Sequence, residues 1–291
     1  MRKTSRQSSV PKPNPLSEPF KRIIGGAVYG LAIILSLVWW PYAFVPLTAF
    51  AIIWMLGEFY SVSMGDALKP ERILAITAAV LCFVLLYAHL AYSFPARFML
   101  VAAIPLVACL AMPVFRRDAG SYDRFAYIFM GLVWVALPLV LSPCLVFKEG
   151  EFDGWLLMDF FIIIWVADVG AYALGTAFGQ KPTSRKLAPA ISPKKSWWGF
   201  WSALGFGTAA SVLLSYLGWL QVPMVHAAVL GLILSAAAVL GDLCESVWKR
   251  HFGVKDSGTL IPGHGGLLDR MDSSLIAMPL AASYLAIFSL I

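Results

Sequence analysis

Residues 222–247 read VPMVHAAVLGLILSAAAVLGDLCESV, and residues 246–272 continue as SVWKRHFGVKDSGTLIPGHGGLLDRMD. The first stretch is a mostly apolar run, longer than the roughly 20 residues that a helix needs to cross the hydrocarbon core of a bilayer. The second is rich in Lys, Arg, Asp, Gly and His, and another apolar run, 273–291, follows it. This contrast predicts membrane-spanning helices that hold a short polar segment at a membrane surface.

The composition of the whole chain supports a membrane fold. Hydrophobic residues make up 60% of its 291 residues and charged residues 13%, and the mean hydropathy is +0.78. Soluble domains carry roughly 25% charged residues, and a soluble fold of this length could not bury so much apolar surface. We therefore predict an all-α polytopic membrane protein, whose net charge of +6 reflects orientation in the membrane rather than nucleic-acid binding.

Apolar runs near 20 residues long predict nine transmembrane spans. Residues 1–22 are polar and basic with four prolines, and we expect a flexible cytosolic tail there rather than a cleaved signal peptide. An N-terminal region of five spans, 23–147, precedes a catalytic region of four spans, 154–291, with loops at 179–198 and 248–272. The predicted spans are 23–40, 41–57, 72–91, 94–115, 125–147, 154–178, 199–220, 222–247 and 273–291.

The basic residues orient these spans. With the N-terminus inside and nine crossings, 20 of the 22 Lys and Arg residues fall in inside segments, and only Arg97 and Lys148 lie outside. Cytoplasmic loops of membrane proteins carry such an excess of positive charge. We therefore predict an inner-membrane protein with its C-terminus outside and both large polar loops, with any active site between them, on the cytosolic side.

Carboxylates near the ends of spans six and eight are functional candidates, because an acid within a span costs on the order of 3 kcal/mol. Asp168 shares a helix face with Tyr172 and Gly175, and an interhelical hydrogen bond is the alternative role for this acid. Asp159, nearer the outer half, is expected to be structural.

The eighth span ends with Asp242 and Glu245, one helical turn apart. Lys249 lies four residues beyond Glu245, so the two can form an i,i+4 ion pair. Asp242 has no such partner and is left unpaired within the membrane. A metal cation would remove that cost.

The polar segment that follows suits a metal-bound phosphate. Asp269 and Asp272 are three residues apart, so one helical turn presents both carboxylates, and Mg²⁺ prefers one or two carboxylates together with substrate phosphate oxygens. Gly265 and Gly266 let backbone N–H groups approach an anion. His264, flanked by glycines, is expected to hydrogen-bond a phosphate or act as an acid rather than bind metal.

The other polar loop supplies cations. Lys194 and Lys195 precede Ser196 and two tryptophans, and they suit a polyphosphate because a triphosphate needs cations beyond its metal ions. Arg185 and Lys186 have the alternative role of setting topology or contacting anionic lipid head groups.

Together these residues resemble the signature of the phosphatidate cytidylyltransferases, or CDP-diacylglycerol synthases. The resemblance covers the C-terminal half, about 154–291, whereas the N-terminal half resembles the family only as a stack of hydrophobic spans. Trp198 departs from the pattern, since the family usually has an acidic residue there. The matching residues are Asp168, Tyr172, Gly175, Ser192 to Trp197, Gly241, Asp242, Ser246, Lys249, Arg250, Lys255, Asp256, Pro262, His264, Gly265, Gly266, Asp269, Arg270 and Asp272.

The resemblance implies a nucleotidyltransferase that moves CMP from CTP to phosphatidic acid, giving CDP-diacylglycerol and pyrophosphate for phospholipid biosynthesis. It implies a Mg²⁺-dependent membrane enzyme, often a homodimer, with two metal ions of which the second is divalent or monovalent. The expected metal ligands are Asp242, Asp269 and Asp272. The other expected catalytic residues are Lys249, Arg250, Lys255, Asp256, His264 and Arg270, and the expected nucleotide-binding residues are Asp168, Tyr172, Lys194, Lys195, Ser196, Gly265 and Gly266.

Two other classes remain open from the residues alone. A CTP-using polyprenol or dolichol kinase would share the helices, the metal and the nucleotide, but its hydroxyl acceptor calls more strongly for a base. A transporter would usually show internal repeats or broken helices around a midplane site, whereas the polar groups here cluster at one membrane face.

Overall fold

The structure is a computed structural model that describes residues 17–115, 119–148, 150–261, 263 and 265–291. Long apolar segments fold as helices because lipid offers no partner to unpaired backbone groups. Of the predicted N-terminal tail, residues 1–16 lie outside the described residues. The α-helices are α1 Ser17–Ile34, α2 Phe44–Met64, α3 Lys69–Tyr92, α4 Ala103–Ala111, α5 Ala126–Gly131, α6 Leu137–Val140, α7 Trp155–Ala177, α8 Trp197–Tyr216, α9 Met224–His251 and α10 Leu268–Ile287.

Short turns of other helix types extend several of these helices. A π-helical turn, Leu35–Trp39, continues α1, and another, Leu132–Ala136, joins α5 to α6. The 3₁₀ turns are Pro41–Ala43, Ala96–Ala102, Met112–Phe115, Ala119–Phe125 and Ser142–Leu145. The fifth predicted span is therefore a chain of short helical pieces, in which Pro138 and Pro143 cannot donate a backbone hydrogen bond.

The multi-pass helical membrane fold predicted from the composition is confirmed. Among the described residues, six helical segments are long and apolar enough to cross a membrane: Pro41–Met64, Lys69–Tyr92, Ala96–Phe115, Tyr122–Leu145, Trp155–Ala177 and Met224–His251. A shorter apolar helix, Ile24–Trp39, together with α8 and α10, covers the other predicted spans. The count of nine spans and their orientation stay predictions.

The two predicted polar loops are more ordered than the sequence indicated. Within 179–198, strands β3 Lys186–Ala188 and β4 Ser192–Ser196 form an antiparallel hairpin, and a second hairpin joins β1 Phe147–Lys148 to β2 Glu151–Phe152. Within 248–272, α9 continues to His251 and α10 starts at Leu268. Asp269 and Asp272 therefore lie on the first turns of a helix, with the helical spacing that was predicted for them.

The C-terminal helices form a bundle in which α7 packs along α8, α8 along α9, and α9 along α10. Helix α9 approaches α10 closely at Gly241, where a Cβ atom would lie 2.5 Å from the carbonyl oxygen of Asp272. Small residues at helix contacts allow membrane helices to approach this closely. This contact sets Asp242 beside the start of α10.

Helix α2 fixes the C-terminal end of α9 through aromatic side chains. Phe59 stacks on Trp248 with ring centroids 5.1 Å apart, and Trp134 meets the same indole edge-on at 6.2 Å. The Trp248 indole N–H donates to Ser63 Oγ at 2.9 Å, so its one polar atom is satisfied within the core. The N-terminal helices therefore hold the end of α9 that carries Lys249.

Candidate active site

A polar cavity of about 730 Å³ lies at one end of the α7–α10 bundle. Its charged and polar walls come from α7, from β4 with the start of α8, from the end of α9 and from the start of α10. Ten residues singled out from the sequence line it: Asp168, Tyr172, Lys194, Lys195, Ser196, Asp242, Lys249, Asp269, Arg270 and Asp272.

The β3–β4 hairpin brings two lysines to the cavity. Ser196 ends β4 and caps α8, because its Oγ accepts from the backbone N–H of Gly199 at 3.2 Å. This cap fixes the chain direction at Lys194 and Lys195, which immediately precede it. Lys195 Nζ lies 2.6 Å from Asp242 Oδ2, so an ion pair ties the hairpin to α9 across the cavity.

Three carboxylates from three helices face this cavity: Asp168, Asp242 and Asp272. They lie close enough for each to oppose the negative charge of the others. Within the described part of the chain, no three His, Cys, Asp or Glu side chains are already grouped at metal-binding distances. The set nevertheless fits a hard divalent cation, because it gathers carboxylate oxygens whose mutual repulsion a cation would relieve.

Asp269 differs from these three because its oxygens are already engaged. Oδ1 lies 2.7 Å from Lys249 Nζ, and Oδ2 accepts from the backbone N–H groups of Ser257 and Gly266, both at 2.8 Å. Burial acts to raise the pKa of Asp269, but these hydrogen bonds outweigh it and hold the pKa below its ordinary value. The anion that the Gly266 N–H meets in this structure is therefore a carboxylate of the chain itself.

Gly265 has a specific reason to be glycine. Its φ is +84°, in the left-handed region, and a Cβ atom there would lie 2.6 Å from Asp269 Oδ2. The bend that it allows lets the next residue reach Asp269. Gly265 and Gly266 thus organise the loop before α10 in this structure, and their proposed contact with nucleotide stays a prediction.

Lys249 links the two helices that carry the acids. Its Nζ lies 2.5 Å from Glu245 Oε2 on α9 and 2.7 Å from Asp269 Oδ1 on α10. The i,i+4 pair with Glu245 that the spacing predicted is therefore present, and Glu245 itself is fully buried. Lys249 acts as a bridge between helices while its side chain still borders the cavity.

Sequence reasoning missed Glu58, which reaches the site from α2. Its carboxylate accepts from the backbone N–H groups of Leu267 at 3.1 Å and Leu268 at 2.9 Å, from Ser257 Oγ at 3.1 Å and from Trp54 Nε1 at 3.0 Å. An acid at a helix N-terminus satisfies unpaired N–H groups and opposes the positive end of the helix dipole. The available signal was an acid at the end of an apolar run, but the predicted second span stopped one residue before it.

Several candidates lie elsewhere. Arg250, Lys255 and Asp256 are exposed and do not line the cavity. His264 lies outside the described residues, as does Pro262 beside it. Asp159 is fully buried in α7 and does not line this cavity, and its structural role stays a prediction.

Comparison with known proteins adds independent evidence. The model of the Cytidylyltransferase family matches residues 20–288. Curated relatives named "Phosphatidate cytidylyltransferase" include one from Pseudomonas aeruginosa, 35% identical over 213 residues, covering 72% of this chain and 76% of that protein.

Two further relatives carry the same name. One from Bacillus subtilis is 32% identical over 194 residues, covering 65% of this chain and 68% of that protein. One from Mycobacterium bovis is 37% identical over 184 residues, covering 58% of each. The family match extends over nearly the whole described structure, including the N-terminal helices that contribute Glu58. The chain belongs to the cytidylyltransferase family.

Proposed function

We propose that this chain is a phosphatidate cytidylyltransferase, which transfers CMP from CTP to phosphatidic acid and yields CDP-diacylglycerol and pyrophosphate. The observation that supports this most strongly is the cavity in which three carboxylates meet basic side chains at the end of a membrane bundle. The relatives named above support the same activity. The basic residues on the cavity wall are Lys194, Lys195, Lys249 and Arg270.

The reaction is an attack by a phosphate oxygen of phosphatidic acid on the α-phosphorus of CTP. The bond from that phosphorus to the bridging β-phosphate oxygen breaks, and pyrophosphate leaves with the electron pair. The nucleophile is already an anion, so no strong general base is required. The obstacle is repulsion between two anionic substrates, which positioned positive charge reduces.

The acids of the cavity suit a metal ion, and its basic side chains suit the phosphates of the substrates. Asp242 and Asp272, with Asp168 beside them, would hold Mg²⁺ in this proposal, and Asp269 is proposed as a further ligand. Bound Mg²⁺ would supply positive charge that reduces the repulsion between the two anionic substrates. Lys195 pairs with the Asp242 carboxylate and lines the same cavity, so its ammonium group is placed to contact the phosphates of CTP.

The remaining cations suit the leaving group. Lys194 on the hairpin and Arg270 on α10 both border the cavity. They neutralise the β- and γ-phosphates and stabilise pyrophosphate as it forms. Tyr172, exposed on α7 at the cavity wall, presents an aromatic face for the cytosine ring.

We further propose that the cavity opens to the cytosol from the inner membrane and that the enzyme is a homodimer. The cytosolic assignment is supported by the distribution of basic residues, 20 of 22 in inside segments. It gives CTP direct access, while the acyl chains remain at membrane depth. The dimer is supported by the family resemblance, and cross-linking in native membranes tests it.

The experiment that tests the function uses purified protein with CTP, Mg²⁺ and phosphatidic acid. We expect release of pyrophosphate and formation of a CDP-lipid in equal amounts. Transfer of the γ-phosphate with release of CDP would instead indicate a lipid kinase. No turnover of CTP with any lipid would favour a transporter.

A further inference from the structure

A second cavity, of about 630 Å³, lies beside the polar one. It is bounded by α1, α2, α7 and α10, and its lining is almost entirely apolar. Val28 and Leu47 on its walls are partly exposed, so the cavity opens sideways toward the region that lipid occupies. Representative lining residues are Val28, Ala32, Leu47, Ala51, Leu157 and Met271.

The two cavities share one wall, the first turns of α10. Arg270 and Asp272 line the polar cavity, whereas Met271 between them lines the apolar one. Tyr29 of α1 closes this wall, because its hydroxyl donates to the Arg270 carbonyl oxygen at 3.2 Å and lies 3.0 Å from Met271 Sδ. These side chains separate the apolar cavity from the polar cavity that Arg270 and Asp272 line.

The shape of the apolar cavity fits an extended chain. Its wall on α1 runs from Ile24 to Leu37, roughly 20 Å at 1.5 Å per residue, which exceeds half of the roughly 30 Å hydrocarbon thickness of a bilayer. The hydroxyls of Ser36 and Ser142 on its wall donate to carbonyl oxygens three residues earlier in their own helices. These hydroxyls therefore need no polar partner from an occupant.

We propose that this cavity holds one acyl chain of the phosphatidic acid substrate, with the glycerol phosphate passing Tyr29 to reach Arg270 and Asp272. This inference rests on the proposed function. Moving a chain from lipid to an apolar protein wall gains little hydrophobic free energy, because both surroundings are apolar. The cavity instead positions the lipid, so that its phosphate is presented at a fixed place relative to the nucleotide.

Filling the cavity tests the proposal. Ala32→Phe and Ala51→Phe add a ring to opposite walls, and Ala27→Phe is the matched control, because Ala27 is exposed on α1 and does not line the cavity. We expect both filling variants to raise the KM for dipalmitoyl phosphatidic acid about tenfold. The KM for CTP and the KM for dihexanoyl phosphatidic acid are expected to stay at the wild-type value. An equal loss with both lipids, or a loss equal to that of the control, would overturn the proposal.

A second measurement separates this inference from the proposed function. Phosphatidic acid with a photoreactive group at the end of one acyl chain is expected to label residues near Leu37 and Phe44, deep in the cavity. Labelling without any CDP-lipid formation would reject the proposed function and leave the lipid site standing. Labelling confined to outward-facing residues such as Val225, or equal competition by phosphatidylcholine with the same chains, would reject a substrate site.

Discussion

Removing the Glu58 carboxylate tests how the N-terminal helices serve the active site. In Glu58→Ala, the backbone N–H groups of Leu267 and Leu268 lose their acceptor. Ser257 Oγ keeps a second acceptor, Asp269 Oδ2, at 3.0 Å, so this hydroxyl is not left unpaired. Two donors at the start of α10 are therefore orphaned, while the indole N–H of Trp54, which also loses its acceptor, belongs to an exposed side chain.

The magnitude follows from those two donors. An unpaired buried donor costs about 1–3 kcal/mol, and Leu267 N is only partly buried, so we expect a loss of about 2–4 kcal/mol in the free energy of unfolding. A loss of this size lowers the melting temperature by roughly 4 °C or more. Turnover is expected to fall about 10- to 100-fold, because α10 also carries Arg270 and Asp272 and a small displacement of reacting groups is costly.

The assay combines melting of the detergent-purified protein, followed by tryptophan fluorescence, with CTP-dependent release of pyrophosphate. Glu58→Gln keeps one acceptor oxygen and should fall between wild type and Glu58→Ala. Asp66→Asn is the control, since Asp66 follows the same helix but its side chain is 94% exposed. If Glu58→Ala melts and turns over like Asp66→Asn, the anchoring role assigned to Glu58 is wrong.

Three further predictions concern the cavity. Asp272→Asn is expected to reduce turnover at least about 100-fold while the melting temperature changes little. Asp269→Asn should lower both the turnover and the melting temperature, because Asp269 also anchors Ser257 and Gly266. Near-wild-type activity in both variants would contradict the metal assignment. Lys195→Met is expected to raise the KM for CTP about tenfold with little change in the KM for phosphatidic acid, and equal changes in the two constants would speak against a nucleotide contact. The folded-state pKa of Asp269 is lowered, so its contribution to stability is fully present above the ordinary carboxyl pKa of about 4 and is lost as the pH falls through the lower folded value. The difference in melting temperature between wild type and Asp269→Asn should therefore narrow below about pH 4. A difference that stays constant with pH would refute this role of the Asp269 carboxylate.

The features that the sequence revealed are those in which one segment carries its own signal. The apolar runs predicted the membrane fold, and the acids within or next to them at Asp168, Asp242 and Asp272 do line one cavity. An acid in an apolar helix is conspicuous because its cost is high wherever the helix packs. The spacing of Glu245 and Lys249 likewise predicted a pair that forms within a single helix.

The features that the sequence concealed depend on helices distant in the chain. Glu58 and Tyr29 acquire their roles only from contacts with α10, more than 200 residues away, and no local pattern encodes such packing. The environment of Asp269 was hidden for the same reason, since its partners come from α9 and from a loop whose bend depends on Gly265. The β3–β4 hairpin escaped notice because strands of three and five residues leave too short a pattern to recognise.

The hydrogen bonds between Glu58 and the start of α10 also bear on the order in which the protein folds while it is being synthesised. Chains are made from the N-terminus, so Glu58 enters the membrane 210 residues before Leu268 exists to donate to it. During that interval the hydrogen bond from Trp54, on the same helix, can already form, whereas those from Ser257, Leu267 and Leu268 cannot. Docking of α10 thus supplies the donors of Leu267 and Leu268 to Glu58 and brings Arg270 and Asp272 to the cavity in a single event, so a nascent chain that stops short of α10 lacks both.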